Sequence, residues 1–209
     1  MEAGGAVKFG GLSYGPPAEV KPGGTEGPAG RSRSRWRRRR RTALIVAAIL
    51  VIIVSTATGR LFIWPAQGMP ARVSAIVMLD SRGNSVSAAL RLERQYRAPF
   101  LVISQGTYLS GPGCPPPIPR VKLICFNPAP VTTQGEAEFV GRLARKYHWR
   151  SIAVITITPQ DSRARLRMER CFPGPVYVVT RPVALASWPY EIAYEWGAMI
   201  KALVLQRGC

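Results

Sequence analysis

Thr132–Cys171 reads TTQGEAEFVGRLARKYHWRSIAVITITPQDSRARLRMERC, and the order of its patterns decides the fold. Its first part, Thr133–His148, sets Phe139, Val140, Leu143 and Tyr147 on one face at the helical period. IAVITI (Ile152–Ile157) then runs almost without a polar residue, and all of it but Ala153 is β-branched. A strand covered on both faces of a parallel sheet has this composition. Asp161–Cys171 follows as a short, strongly basic helix. Helix, doubly buried strand and helix in succession make a repeating unit of an α/β fold.

The same alternation continues on both sides. Val73–Leu79, Phe100–Ser104, Val121–Phe126 and Val176–Thr180 are further short apolar runs. Asn84–Tyr96 offers Ala88, Leu92 and Tyr96 to a core. Pro189–Leu205 offers Ile192, Trp196, Met199, Ile200 and Leu203. The expectation for residues 73–209 is a Rossmann-like three-layer sandwich around a mainly parallel sheet of roughly five strands.

Ahead of this domain the composition changes. Residues 1–30 are rich in Gly and Pro and poor in large apolar side chains, so they cannot offset their ordering entropy and read as disordered. The formal net charge is +18, of which residues 1–41 contribute +7, concentrated in RSRSRWRRRRR (Arg31–Arg41). Thr42–Thr58, TALIVAAILVIIVSTAT, carries no charge, and a membrane span needs ~20 residues. Arg60 can snorkel and Trp64 suits the interfacial belt, so the span is read as 42–64, with 65–72 as a linker. The arginine run stops where the span starts. It therefore reads as a topology signal that keeps the tail cytoplasmic and sends the domain across the membrane, with anionic headgroups as a second contact. A nucleic-acid partner is not expected, because the arginines beyond the span are scattered. Cleavage after Ala57 is the competing reading; it too exports the domain.

The four cysteines lack CxxC spacing and His148 is the only histidine, so no metal site is expected. Cys114 and Cys125 flank a Pro/Gly-rich loop and are the favoured disulfide; buried free thiols compete with that pairing. The nucleophile-elbow, Walker and dinucleotide glycine motifs are absent, which removes the common routes to a named cofactor.

In an open parallel sheet, ligands bind beyond the carboxyl ends of the strands. That rule selects Asp80–Asn84, Ser104–Thr107, Asn127–Glu136 and Thr158–Asp161. The crevice candidates are Asp80, Ser81, Gly83, Ser104, Gly106, Thr133, Glu136, Gln160 and Arg163. Each also has a purely structural explanation. Thr133 with Glu136, and Thr158 with Pro159, fit helix-capping patterns. Asp80 could cap the following helix, Gly83 and Gly106 could serve turns, and His148 could sit at a helix end. The arginines at 163, 165, 167 and 170 could form a solvated face.

With these residues in view, Ala71–Leu205 resembles the YdcF/SanA/ElyC-like family, several of whose members are membrane-anchored envelope proteins. The resemblance rests on AIVMLDSRG (Ala75–Gly83), LVISQG (Leu101–Gly106) and above all Thr132–Cys171. Thr133, Glu136 and Ala137 match a Thr-x-x-Asn/Glu-Ala motif, and Thr156, Arg163 and Ala164 match parts of a later Thr-Ser…His-x-x-Arg-Ala motif. Departures are equally specific. Gln160 stands at the family's His, Gln105 replaces a glycine, and Asp80 occupies a turn where paired glycines are usual. The resemblance implies an extracytoplasmic domain that binds a small anionic ligand in cell-envelope maintenance, with an envelope precursor or envelope protein as partner besides the bilayer. Since Gln cannot act as a base near neutral pH, a non-catalytic scaffold is the alternative. Acid–base chemistry through Asp80 or Glu136 is a third reading.

Overall fold

The computed structural model describes residues 10, 11, 15, 29–82, 86–96, 98–107 and 113–209. They fall into two compact units, residues 1–48 and 49–209. The first helix, α1, runs from Ala29 to Thr58 and ends in a π-helical turn, Gly59–Ile63. Among the described residues one stretch, Arg35–Ile63, is long and apolar enough to cross a membrane, its most apolar part reaching a mean hydropathy of 2.3. Ala29–Arg41 is already helical, since an apolar helix propagates into its flank once nucleated, so the disorder expected for residues 1–30 is corrected at Ala29 and Gly30; the rest of that stretch lies almost wholly outside the described residues.

The second unit holds five strands: β1 (Ala75–Met78), β2 (Phe100–Ser104), β3 (Lys122–Phe126), β4 (Ile152–Ile157) and β5 (Val176–Arg181). All pair in parallel, in the order β3-β2-β1-β4-β5. The α/β sandwich read from the sequence is therefore the fold. β1 and β4 are buried at every position, which explains runs that are apolar but for Thr156. Helix α2 (Val86–Tyr96) covers one face, over Ile76, Met78, Leu101 and Ile103. Of the expected stripe Leu92 and Tyr96 pack against this core, while the most buried positions, Ala89 and Glu93, lie one residue round from it. The other face packs Val77, Val102 and Val154 against α3 (Thr133–Lys146) and α4 (Asp161–Cys171).

Helix α5 (Trp188–Val204) keeps part of its expected core face, with Met199 buried and Ile192 and Trp196 half-buried, and departs from the rest. It buries Glu191, Glu195, Met199 and Ala202, while Ile200 and Leu203 are exposed. The buried carboxylates face a cation on α4, a long-range partner that periodicity cannot reveal. Both disulfides close within this unit. Cys114–Cys125 is the favoured pair, and Cys171–Cys209 is the second, so no cysteine is free.

Candidate functional site

The strand order reverses between β1 and β4, because the chain builds outward to β3 and then returns to the other side of β1. A crevice opens at such a switch point, beyond the carboxyl ends of the strands. A cavity of about 160 Å³ lies there, with Asp80 and Ser81 after β1, Gln160 after β4 and the first turn of α3 on its walls.

The α3 end departs from the expected capping box. Thr132, in extended backbone, is the N-cap and accepts from Gly135 N at 3.2 Å, so the helix starts one residue earlier than a Thr133 cap requires. Glu136 is thereby released from capping. Its Oε1 reaches across the sheet end to accept from the Asp80 backbone N–H at 2.7 Å. Glu136 is 2% exposed, and burial pushes its carboxyl up to about 7 against weaker lowering by the Asp80 N–H and Ser104. Ser104 Oγ is itself fully buried beside that carboxyl, yet lies outside good hydrogen-bond geometry with any partner among the described residues.

Gly135 permits the loop before α3 to fold back on the helix. A Cβ there would lie 2.1 Å from Pro130 O, and backbone cannot give way as a flexible side chain can. Gly135→Ala is therefore expected to destabilise the domain by about 2 kcal/mol, as overpacking does, measured by chemical denaturation; an unchanged midpoint would refute the close approach.

The α4 end also differs from expectation. Thr158–Gln160 is a 3-10 turn, and Thr158 Oγ1 donates to Arg181 O at 3.1 Å instead of capping. Gln160 is committed on both sides of its amide. Its Oε1 accepts from Thr156 Oγ1 at 2.8 Å, and its Nε2 donates to Thr133 Oγ1 at 3.1 Å. Ser81 Oγ lies 3.5 Å from Thr156 Oγ1, which extends this chain of polar side chains to the β1 loop. Arg163 Nη1 donates to Thr133 Oγ1 at 2.8 Å, and its Nε and Nη2 make a bidentate pair with Glu195 at 2.7 and 2.8 Å. Burial disfavours the Arg163 charge, but the Glu195 hydrogen bonds and charge outweigh it and hold the group above its ordinary value.

The arginines of α4 are not a solvated face. Arg163 and Arg167 are buried, and Arg165 and Arg170 donate to main-chain carbonyls of Val176 and Ala202. Arg167 donates to Gln206 O and, at 2.7 Å, to Gln206 Oε1. Among the described residues it forms no ion pair. Burial, and then repulsion from Arg170 and Arg163, lower its affinity for its proton. Asp161 is also buried. Desolvation raises it to about 6 despite Arg165 at 3.7 Å, and its Oδ2 has no partner among the described residues.

Six of the expected residues line one cavity: Asp80, Ser81, Thr133, Glu136, Gln160 and Arg163. Gly106 stands behind the wall, where a Cβ would fall 2.1 Å from Asp80 Oδ2; its role is to leave room for that carboxylate. Ser104 lies beneath Glu136, and Gly83 lies outside the described residues. The expected Asp80 cap of α2 also falls on residues outside that set. Sequence reasoning missed Arg167 and the whole α5 wall, where Tyr190, Glu191, Tyr194, Glu195 and Lys201 complete the site. The signal was present: Tyr190 with Tyr194, and Glu191 with Glu195, repeat at four residues and so stack on one side of a helix. Burial raises Glu191 as well. No three His, Cys, Asp or Glu side chains among the described residues converge to hold a metal ion. Compared with protein-family models, with curated proteins and with solved structures, the chain matches none.

Proposed function

We propose that this chain is a membrane-anchored protein whose α/β domain lies outside the cytoplasm and binds a small anionic ligand in the β1/β4 cavity. Arg167 carries the binding: a buried guanidinium on the cavity wall, repelled by Arg170 and Arg163, offset only weakly by Glu138 and forming no ion pair among the described residues, gains from any anion that enters. The first turn of α3 adds the positive end of a helix dipole on the same cavity. Anchoring is supported by the exposed apolar helix behind an arginine run, and export by the pairing of all four cysteines, which fits an oxidising compartment. The resemblance to the YdcF/SanA/ElyC-like family makes envelope maintenance the process and phosphorylated envelope precursors the ligand class.

The test is thermal shift of the full chain in detergent with inorganic phosphate, pyrophosphate and uridine diphosphate, beside neutral sugars of similar size. At least one anion is expected to raise Tm, and Lys201→Gln to weaken that shift. If no anion raises Tm, the binding reading fails and the non-catalytic scaffold replaces it.

Glu136 favours a second, chemical reading. A carboxyl titrating near 7 in a cavity is suited to general acid–base work, and Asp80 is its neighbour. Gln160 cannot supply that step, since both ends of its amide are engaged by hydroxyls. On this reading the site is a hydrolase or transferase centre in which Glu136 moves the proton.

A further inference from the structure

Helix α5 is amphipathic in the inverted sense. Its inward side carries Glu191 and Glu195, whereas its outward side carries Pro189, Ala193, Gly197, Ile200, Leu203 and Val204, with one exposed charge, Lys201, at the cavity-side edge of that face. Ile200, Leu203 and Val204 are 56%, 49% and 55% exposed. A helix on a water-facing surface shows the opposite arrangement, and a contiguous exposed apolar face marks an interaction surface.

What covers this face follows from its flank. Trp196 Nε1 donates to Thr58 Oγ1 at 3.0 Å, and its ring meets Phe62 edge-on at 5.3 Å between centroids. Thr58 and Phe62 belong to the end of the apolar span, whose most apolar window is only 6% buried. The apolar face of α5 is thus continuous with a surface that is itself suited to lipid. Trp64, 74% exposed, lies just past the same end, and Tyr190 and Tyr194 stand at the cavity edge of α5. Trp and Tyr concentrate where a membrane meets water, because one end of each is apolar and the other polar.

We propose that the outward face of α5 docks on the lipid bilayer that holds the anchor, so that the helix lies in the interface. This rests on the anchor reading above. A helix of this kind sinks its apolar face ~5–10 Å into the headgroup boundary. Tethering by the span makes the contact intramolecular, so a modest face suffices. The cavity shares α5 as a wall and therefore opens at headgroup level.

Nitroxide labelling of the full chain in mixed phosphatidylcholine–phosphatidylglycerol vesicles tests this. Every native cysteine is in a disulfide, so one introduced cysteine gives one label. Ile200→Cys and Val204→Cys report on α5, Ile52→Cys on the span and the exposed Glu169→Cys on the far side of α4. Docking predicts that labels at 200 and 204 gain access to oxygen and lose access to a water-soluble nickel complex, as the label at 52 does and the label at 169 does not. Labels at 200 and 204 that behave like 169, while 52 reads lipid, overturn the docking and leave the anchor standing. A label at 52 that reads water overturns both. Labels at 200 and 204 shielded from both reagents, with spin–spin broadening, point to a second copy on this face and also overturn it.

Discussion

Glu195→Ala is expected to cost the domain about 3–5 kcal/mol of stability, the range found when one partner of a buried ion pair is removed. Glu195 is 1% exposed and holds Arg163 through two hydrogen bonds of 2.7 and 2.8 Å. Without it the guanidinium keeps only Thr133 and the Tyr194 ring, whose centroid lies 5.8 Å away. A lysine so stranded could shed its proton, but arginine cannot, so the buried charge persists. Replacing both partners, as Arg163→Leu with Glu195→Leu, removes the charges together and is expected to recover most of the loss. Denaturant midpoints of the two single variants and the double variant give the coupling directly. A Glu195→Ala variant within about 1 kcal/mol of wild type, the range of an exposed pair, would mean that water reaches the pair.

This ion pair also shows where the sequence stops being legible. Strands β1, β2 and β4 were readable because each is covered on both faces, and a doubly buried strand announces itself by composition alone. Helix α3 was readable because its core stripe, Val140 with Phe139 and Leu143 beside it, follows the helical period. Helix α5 defeated the same logic in part. Its apolar residues are as periodic as those of a core helix, but the inward stripe is set by Arg163, 32 residues away in sequence. Periodicity finds an apolar face and cannot say whether protein or lipid covers it. The α4 arginines were legible in part. Arg163 and Arg167, four residues apart, share a side of the helix, while Arg165 points elsewhere, so the four could never occupy one solvated face. The strand-end rule located the cavity because it depends only on topology. It omitted the α5 wall because that helix follows the last strand. At α3, two adjacent threonines made the cap ambiguous by one residue, and that residue decides whether Glu136 caps its helix or enters the cavity.

Glu136 also sets an expected pH dependence with an unusual sign. Its carboxyl titrates near 7 in the folded domain against an ordinary value of 4.5, so between those values the folded state binds a proton that the unfolded chain has released. Stability therefore falls as pH rises through this window: the contribution is complete below about 4.5 and lost above about 7. The difference corresponds to about 3 kcal/mol for a fully buried group. Asp161, raised to about 6, adds a loss of the same sign that ends at lower pH. Glu136→Gln separates the two. The amide matches the neutral acid in shape and keeps an oxygen for the Asp80 N–H, so it is expected to equal wild type near pH 4.5 and to exceed its stability by up to about 3 kcal/mol at pH 8. Denaturation curves across pH 4.5–8 read this directly; parallel slopes for the two proteins would show that Glu136 is ionised throughout. The two readings of the cavity then separate on one variant. If the site only binds, Glu136→Gln retains the anion-dependent rise in Tm at pH 8, because removing a carboxylate from the wall lessens repulsion. If Glu136 moves a proton, the same variant binds as well or better and turns over nothing, since an amide fills the space of the acid without its chemistry.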